Sequence, residues 1–423
     1  MRYIISLLFI LTLFSCKDKQ RKADSSSISC IQSFAQTFPM PNGNRCTEST
    51  GLLNSEALEI PLGGQPVWIT GIPINNQLLW AVALDNGTVE LIKTERKTVI
   101  SHKKQWKKIQ AGTPPVLGIN CKGNPILVNT LTKNTAPFAA PLPIAGNKLA
   151  YISNKGDLVI SSEQDTVSLS IHAMHDSRII TDKDHRLLVL THPKQYYHGV
   201  LGDNTEARGI AIIETIPKIT VQKQFFAPDS SVIEGISAIW EDLNGDGKLE
   251  IAVTLSNNTE GTGGKHVIFS ENGKVLASGK SVKPDGWRHL LLSLKPVGSN
   301  STWLAAIQRP HVDRLLNLFE WKGDSLKVVA QLHGFSTHMA GSRNLDGVLC
   351  TDINNDGYQD ILLPCTTHDT LYAVSYNRAT LQRIWNSPLD GISVTNIARI
   401  SHTDHTAIAL GTDKNVMKIW FTD

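Results

Sequence analysis

Two nine-residue stretches carry the clearest chemistry in this chain of 423 residues. They read Asp242-Leu-Asn244-Gly-Asp246-Gly247-Lys248-Leu-Glu250 and Asp352-Ile-Asn354-Asn-Asp356-Gly357-Tyr358-Gln-Asp360. Each sets oxygen-bearing side chains at positions 1, 3, 5 and 9 and glycine at 6, then runs into an apolar stretch. A hard cation such as calcium takes six to eight oxygen ligands, and alternate residues of a tight loop can aim theirs at one point. The backbone carbonyl at position 7, Lys248 or Tyr358, would add another ligand, and glycine at 6 permits the sharp bend. The helix–loop–helix calcium site is excluded, because its bidentate Glu at position 12 is replaced by Val253 and Leu363. The competing reading is a metal-free Asn/Asp/Gly turn, since the same residues dominate ordinary turns. Two copies with matching spacing and matching apolar sequels favour two structural calcium sites.

The pattern resembles the calcium loops of FG-GAP (VCBS-type) repeats, as in integrin α-subunit propellers. That resemblance covers these two repeats and implies a β-propeller. Elements able to position such loops recur along the chain as one hairpin. It begins at Leu78, Lys148, Leu187, Ile251, Trp303, Ile361 and Thr406, a mean step of about 55 residues. Short apolar runs broken by Gly, Asn, Asp and Pro indicate an all-β chain. The step fits a blade of four antiparallel strands, so the expectation is seven blades, with six or eight as alternatives. An eighth, partial blade could occupy the Pro-rich interval between the first two hairpins. The C-terminus stops after a blade's third strand, and the segment near Pro66-Val-Trp-Ile-Thr is expected to supply the fourth. Thr181-Asp-Lys-Asp184-His-Arg looks like a shortened loop lacking the late ligand.

Polar side chains concentrate in segments expected at the face opposite the calcium loops. The third hairpin's loop holds His192, Tyr196, Tyr197, His198 and Arg208, and the fifth's holds Arg309 and His311. Blade connections add His172, His175, His289, His338 and Arg343, and the sixth hairpin adds His368. Loops on a rigid scaffold carry function, and this set suits a ligand, either carbohydrate or protein, with Arg208, His311, His338 and Arg343 as binding residues. The non-catalytic reading is preferred. The alternative is a carbohydrate-active lyase or dehydratase working by β-elimination, a layout that some polysaccharide lyases and sugar dehydratases resemble. There His192, His198 or His289 would be the base, Tyr196 or Tyr197 the acid, and Arg208, Arg309 or Arg343 the enolate's counter-cation.

Residues 1–15 read as a targeting segment, with Arg2 before an apolar run, Ile4 to Phe14, too short to span a bilayer. Leu13-Phe14-Ser15-Cys16 resembles a bacterial lipobox. That implies lipidation at Cys16 and anchoring in the cell envelope, outer membrane favoured, with simple secretion as the alternative. Residues 16–50 are assigned to the lipidated cysteine and its tether, largely polar over 17–29, and the propeller to 51–423. Residues 1–24 contain five basic and two acidic residues, which accounts for the whole net charge of +3. The neutral remainder argues against nucleic acid as partner. Disulfides persist in exported proteins, so Cys30–Cys46 and Cys350–Cys365 are the expected pairs, with Cys121 left over. No Gly-x-Ser-x-Gly elbow, nucleotide phosphate loop or His-Glu-x-x-His zinc motif occurs.

Overall fold

A computed structural model describes residues 30–48, 51–196, 204–257, 263–283, 286–296, 301–377 and 379–423. Among them there is no α-helix. One 3-10 turn, Val128–Thr130, interrupts a series of strands.

The described strands form six hydrogen-bonded sheets, one of them thirteen-stranded, which divide in chain order into eight antiparallel groups, called sheets one to eight below. Sheet one is Pro66–Ile74, Gln77–Leu84, Thr88–Glu95 and Thr98–Lys108. Sheet two has three strands, Leu117–Asn120 and Pro125–Leu127 with Ile31–Ala35 added from the N-terminal segment. Sheet three is Leu142–Ile144, Lys148–Ile152, Asp157–Ser161 and Thr166–Ser170. Sheet four is Ile180–Thr181, Leu187–Gln195, Thr205–Glu214 and Thr220–Phe226. Sheet five is Ile239–Glu241, Glu250–Ser256, Lys265–Ser270 and Val275–Gly279. Sheet six is Arg288–Leu294, Trp303–Gln308, Leu315–Lys322 and Ser325–His333. Sheet seven is Leu349–Thr351, Asp360–Pro364, Thr370–Asn377 and Thr380–Pro388. Sheet eight is Ala398–Ser401, Thr406–Thr412 and Val416–Phe421, completed by Leu58–Pro61. Sheets four to six are stitched further by Val232–Ile233 and by a short parallel pairing of Ser278–Gly279 with Ser325–Leu326.

Burial follows position within each sheet. Second strands such as Glu250–Ser256 and Thr406–Thr412 are buried at every residue, so their sequences are apolar rather than alternating. Outer strands such as Thr98–Lys108 are largely exposed and polar. The apolar faces meet in a cyclic series of clusters. Leu79 packs with Leu117, Val128 with Leu149, and Leu158 with Val189. Leu188 then joins Trp240, Ile268 joins Phe319, and Leu316 joins Ile361. Leu371 meets Trp420, and finally Met417 and Ile400 of sheet eight meet Trp80 and Ile69 of sheet one. Each sheet thereby covers both neighbours, and the last covers the first.

Three expectations are corrected. The strand that completes sheet eight is Leu58–Pro61, paired Leu58 to Ile419, while Pro66–Ile74 opens sheet one. A four-residue edge strand containing Glu59 and Pro61 lacks the apolar run that marks a covered strand. The folded body also begins well before residue 51. Pro41 and Asn42 carbonyls accept the Thr181 and Trp240 N–H groups, Asn44 Nδ2 donates to Ser293 Oγ at 2.7 Å, and the Arg45 carbonyl accepts the Cys350 N–H at 2.9 Å. The 41–45 segment thus runs across the first strands of sheets four to seven. Buried Asp346 receives Arg45 at 2.8 Å and Arg178 at 3.4 Å. The third correction concerns disulfides: Cys30 joins Cys121, Cys46 joins Cys350, and Cys365 is a free thiol. The path of the N-terminal segment, not nearness in sequence, sets these pairs.

Candidate functional site

In an antiparallel meander the turns joining strands 1–2 and 3–4 emerge at one end, and the 2–3 turns and sheet-to-sheet connections at the other. Both candidate calcium loops are 1–2 turns, in sheets five and seven, and their last acids open the second strands. Asp242 accepts the N–H groups of Gly245, Asp246 and Gly247 at 2.7–3.1 Å. Asn244 Oδ1 accepts from Asp246, and Asp246 Oδ1 from Lys248, both at 2.8 Å. Glu250 folds back to the Leu243 N–H at 2.9 Å. The second loop repeats this: Asp352 accepts from Asp356 and Gly357, Asn354 from Asp356, Asp356 from Tyr358, and Asp360 Oδ2 from Ile353 at 3.1 Å. Positions 4 and 6 are both left-handed, Gly245 (φ 80°) and Gly247 (φ 84°) in one, Asn355 (φ 59°) and Gly357 (φ 85°) in the other.

These groups fit a bound divalent cation. Asp360 is fully buried, and its Oδ1 makes no hydrogen bond among the described residues. Burial first, then the nearby Asp356 and Asp352 carboxylates, push its pKa up to about 7, against the pull of Ser375 and the Ile353 N–H. Glu250 is raised for the same reasons, with Asp246 and Asp242 as neighbours. In the related turn of sheet four, the Arg186 guanidinium meets Asp182 at 2.7 Å and Glu271 at 2.7 Å, so a side-chain cation neutralises its carboxylates.

At the opposite end, some of the polar residues converge and others do not. His289, His311 and His338 form one cluster with Trp287. Trp287 stacks on His289 at 4.9 Å, and His338 meets His289 edge-on at 5.5 Å and His311 at 4.8 Å. The Thr337 hydroxyl lies 2.8 Å from His289 Nδ1 and 3.1 Å from His338 Nδ1, tying their tautomers together. Burial, then neighbouring His338 and Arg45, hold His289 well below the ordinary histidine range. Burial, then His311 and His368, lower His338 to about 3, and burial with His311 and Arg314 lowers His368 to about 4. All three are therefore neutral at neutral pH. The Nε2 atoms of His311 and His338 are buried without a partner among the described residues.

A cavity of about 150 Å³ adjoins this cluster. His338, His368, Thr337, Asn344 and Ser393 give it polar walls over a floor that includes Leu371 and Leu410. Asn344 and Ser393 carried no signal in the sequence, since each is one polar residue in a connecting segment.

His192 lies elsewhere, against His172 at 5.3 Å and Phe226 at 4.8 Å, with Arg208 over the same Phe226. Its pKa is lowered by burial, then by His172 and Arg208. Arg309 is committed to Asp313, with Nε 2.7 Å from Oδ2, and Arg343 to Asp176 at 2.7 Å. His172 and His175 are exposed. Tyr197 and His198 lie outside the described residues, as does Cys16. The described candidate bases His192 and His289 thus lie in different clusters, and two of the three candidate arginines are neutralised by carboxylates.

One cluster was missed in the sequence: His402, Asp404 and His405 in the 1–2 turn of sheet eight, whose ligating atoms lie within 4.8 Å of one another. The His-Thr-Asp-His spacing was the available signal.

No family model matches this chain, and no curated protein matches it. Among solved structures it is similar to the quinohemoprotein alcohol dehydrogenase ADHIIG from Pseudomonas putida HK5, with a TM-score of 0.57, 8% identity, and 94% of this chain and 80% of that chain covered. It is also similar to BBS1N in complex with ARL6DN, at TM-score 0.46, 10% identity, and 89% and 98% coverage. The likeness to the dehydrogenase supports a β-propeller fold and carries nothing about activity.

Proposed function

We propose that this chain is an exported, lipid-anchored, calcium-stabilised β-propeller of eight blades that binds carbohydrate at the face opposite its calcium loops. The eight-blade ring is supported by the cyclic series of intersheet clusters, with the three-stranded sheet two as its smallest blade. Calcium would be held by Asp242, Asn244, Asp246, the Lys248 carbonyl and Glu250, and by Asp352, Asn354, Asp356, the Tyr358 carbonyl and Asp360. Bound there, it supplies positive charge to carboxylates that otherwise crowd one another. The anchor rests on the resemblance at Leu13–Cys16.

The observation that carries the binding reading is the cavity beside His338. Its volume is below the roughly 300–1,000 Å³ of sites that enclose a drug-sized ligand, so it accepts one ring of a larger ligand. Polar walls over an apolar floor match a sugar's hydroxyl rim and apolar face. The walls present neutral histidines, and Arg309 and Arg343 are already paired, so an uncharged sugar suits the site better than a uronic acid. Glycan-panel screening followed by calorimetry is the test, with His338→Ala and Ser393→Ala as variants. Neutral oligosaccharide binding that drops at least about tenfold in both variants is expected. Binding confined to uronic polymers, or unaltered by both substitutions, rejects the reading.

A further inference from the structure

We propose that His402, Asp404 and His405, on the calcium-loop face, form a third metal site of a second kind that binds one transition-metal ion of the zinc class. The three residues form the 1–2 turn of sheet eight, between Ala398–Ser401 and Thr406–Thr412. His402 Nδ1 lies 2.5 Å and His405 Nδ1 2.7 Å from the same oxygen, Asp404 Oδ1.

The tautomer of His402 is set from outside the cluster. Its Nε2 lies 2.7 Å from the Asn75 carbonyl, which can only accept, so Nε2 carries a hydrogen. An imidazole protonated there turns a bare Nδ1 lone pair on a carboxylate oxygen, and two electron pairs face each other unless a cation lies between them. Metal-ligating histidines characteristically donate their second ring N–H to a carbonyl in this way. His405 is buried, and its Nε2 has no hydrogen-bond partner among the described residues, so the Asp404 carboxylate is the polar group its ring faces there.

The rest of the setting is compatible with an ion. Arg96 Nη2 donates to the other oxygen, Oδ2, at 2.8 Å, which leaves Oδ1 for coordination. The Thr403 hydroxyl is 3.2 Å from His402 Nδ1. Asp404 has a half-exposed side chain, so a water can fill a fourth position. Zinc–ligand bonds of about 2.0–2.1 Å place tetrahedral ligands roughly 3.3 Å apart. Each histidine Nδ1 needs to part from Asp404 Oδ1 by less than about 1 Å to reach that spacing. Two imidazoles and one carboxylate select zinc, cobalt, nickel or copper over calcium.

The alternative is a proton in place of the metal, an imidazolium paired with the Asp404 carboxylate. Cobalt(II) titration of the full, calcium-saturated protein, followed in the visible d–d bands and displaced by zinc, separates the two. One saturable equivalent with tetrahedral bands is expected in the unmodified chain. His402→Gln and Asp404→Asn should each weaken it at least tenfold, with unchanged circular dichroism. His311→Gln, in the cluster at the opposite end, should leave it unchanged. Absence of saturable bands in the unmodified chain overturns the proposal, as does uptake that falls with His311→Gln and survives His402→Gln.

Discussion

The bridge from Cys46 to Cys350 ties the N-terminal segment across the first strand of sheet seven, and its removal has a calculable cost. It spans 304 residues, the longer of the two bridges, against 91 for Cys30–Cys121. In the chain-entropy relation a loop of that length restricts the unfolded state by about 5.7 kcal/mol, and the shorter loop by about 4.6 kcal/mol. Residual structure in the unfolded chain and the crossing of the two loops both reduce the realised value, so about 2–4 kcal/mol is expected. With an unfolding entropy near 2.1 cal/mol/K per residue, that lowers Tm by roughly 2–5 °C. Cys46→Ala with Cys350→Ala is the clean perturbation, because both positions are buried and alanine adds no hydroxyl to satisfy. Guanidinium unfolding midpoints measure the effect, with Cys365→Ala as a control expected to stay within about 0.5 kcal/mol of the parent. Peptide mapping under non-reducing conditions checks the connectivity directly. A double variant as stable as the parent, or a Cys46 peptide joined to Cys30, would refute the reasoning.

Four further outcomes are expected. Chelation should lower Tm, and Asp242→Ala combined with Asp352→Ala should abolish most of that sensitivity; identical melting with and without chelator counts against calcium. Asp360→Asn should weaken calcium stabilisation while raising the Tm of the chelated protein, because it removes a buried carboxylate that faces Asp352 and Asp356 and whose Oδ1 has no hydrogen-bond partner among the described residues; a fall in the chelated state contradicts this. Asp346→Asn leaves Arg45 and Arg178 buried without their shared ion-pair partner and should cost about 3–5 kcal/mol in denaturant unfolding. Acid should destabilise the fold between the ordinary histidine pKa of 6.5 and about 3, since buried His266 and His338 stay neutral in the native state while the unfolded chain takes up their protons. Each contributes a loss of up to about 1.4 kcal/mol per pH unit as pH falls, and a stability flat across that window is the contrary result.

What could be read from the sequence follows the range of the interactions involved. The loops at Asp242 and Asp352 were legible because every bond that shapes them lies within nine residues. The second strands were legible because burial on both faces demands an unbroken apolar run. Sheet two was legible only as the alternative of a partial blade in the Pro-rich interval, since its third strand, Ile31–Ala35, arrives from more than eighty residues upstream of Leu117. Its own two strands are also short and flanked by prolines. The cysteines misled for the same reason: proximity in sequence favoured Cys350 with Cys365, whereas the route of the 41–45 segment delivers Cys46. Arg343 looked available because sequence does not show a partner such as Asp176, 167 residues away, whereas the partner of Arg309, Asp313, lies only four residues on. A histidine's role is likewise decided by what reaches its second nitrogen. For His402 that group is the Asn75 carbonyl, 327 residues distant, which is why an otherwise local His-x-Asp-His turn becomes a metal candidate only once sheets eight and one are brought together.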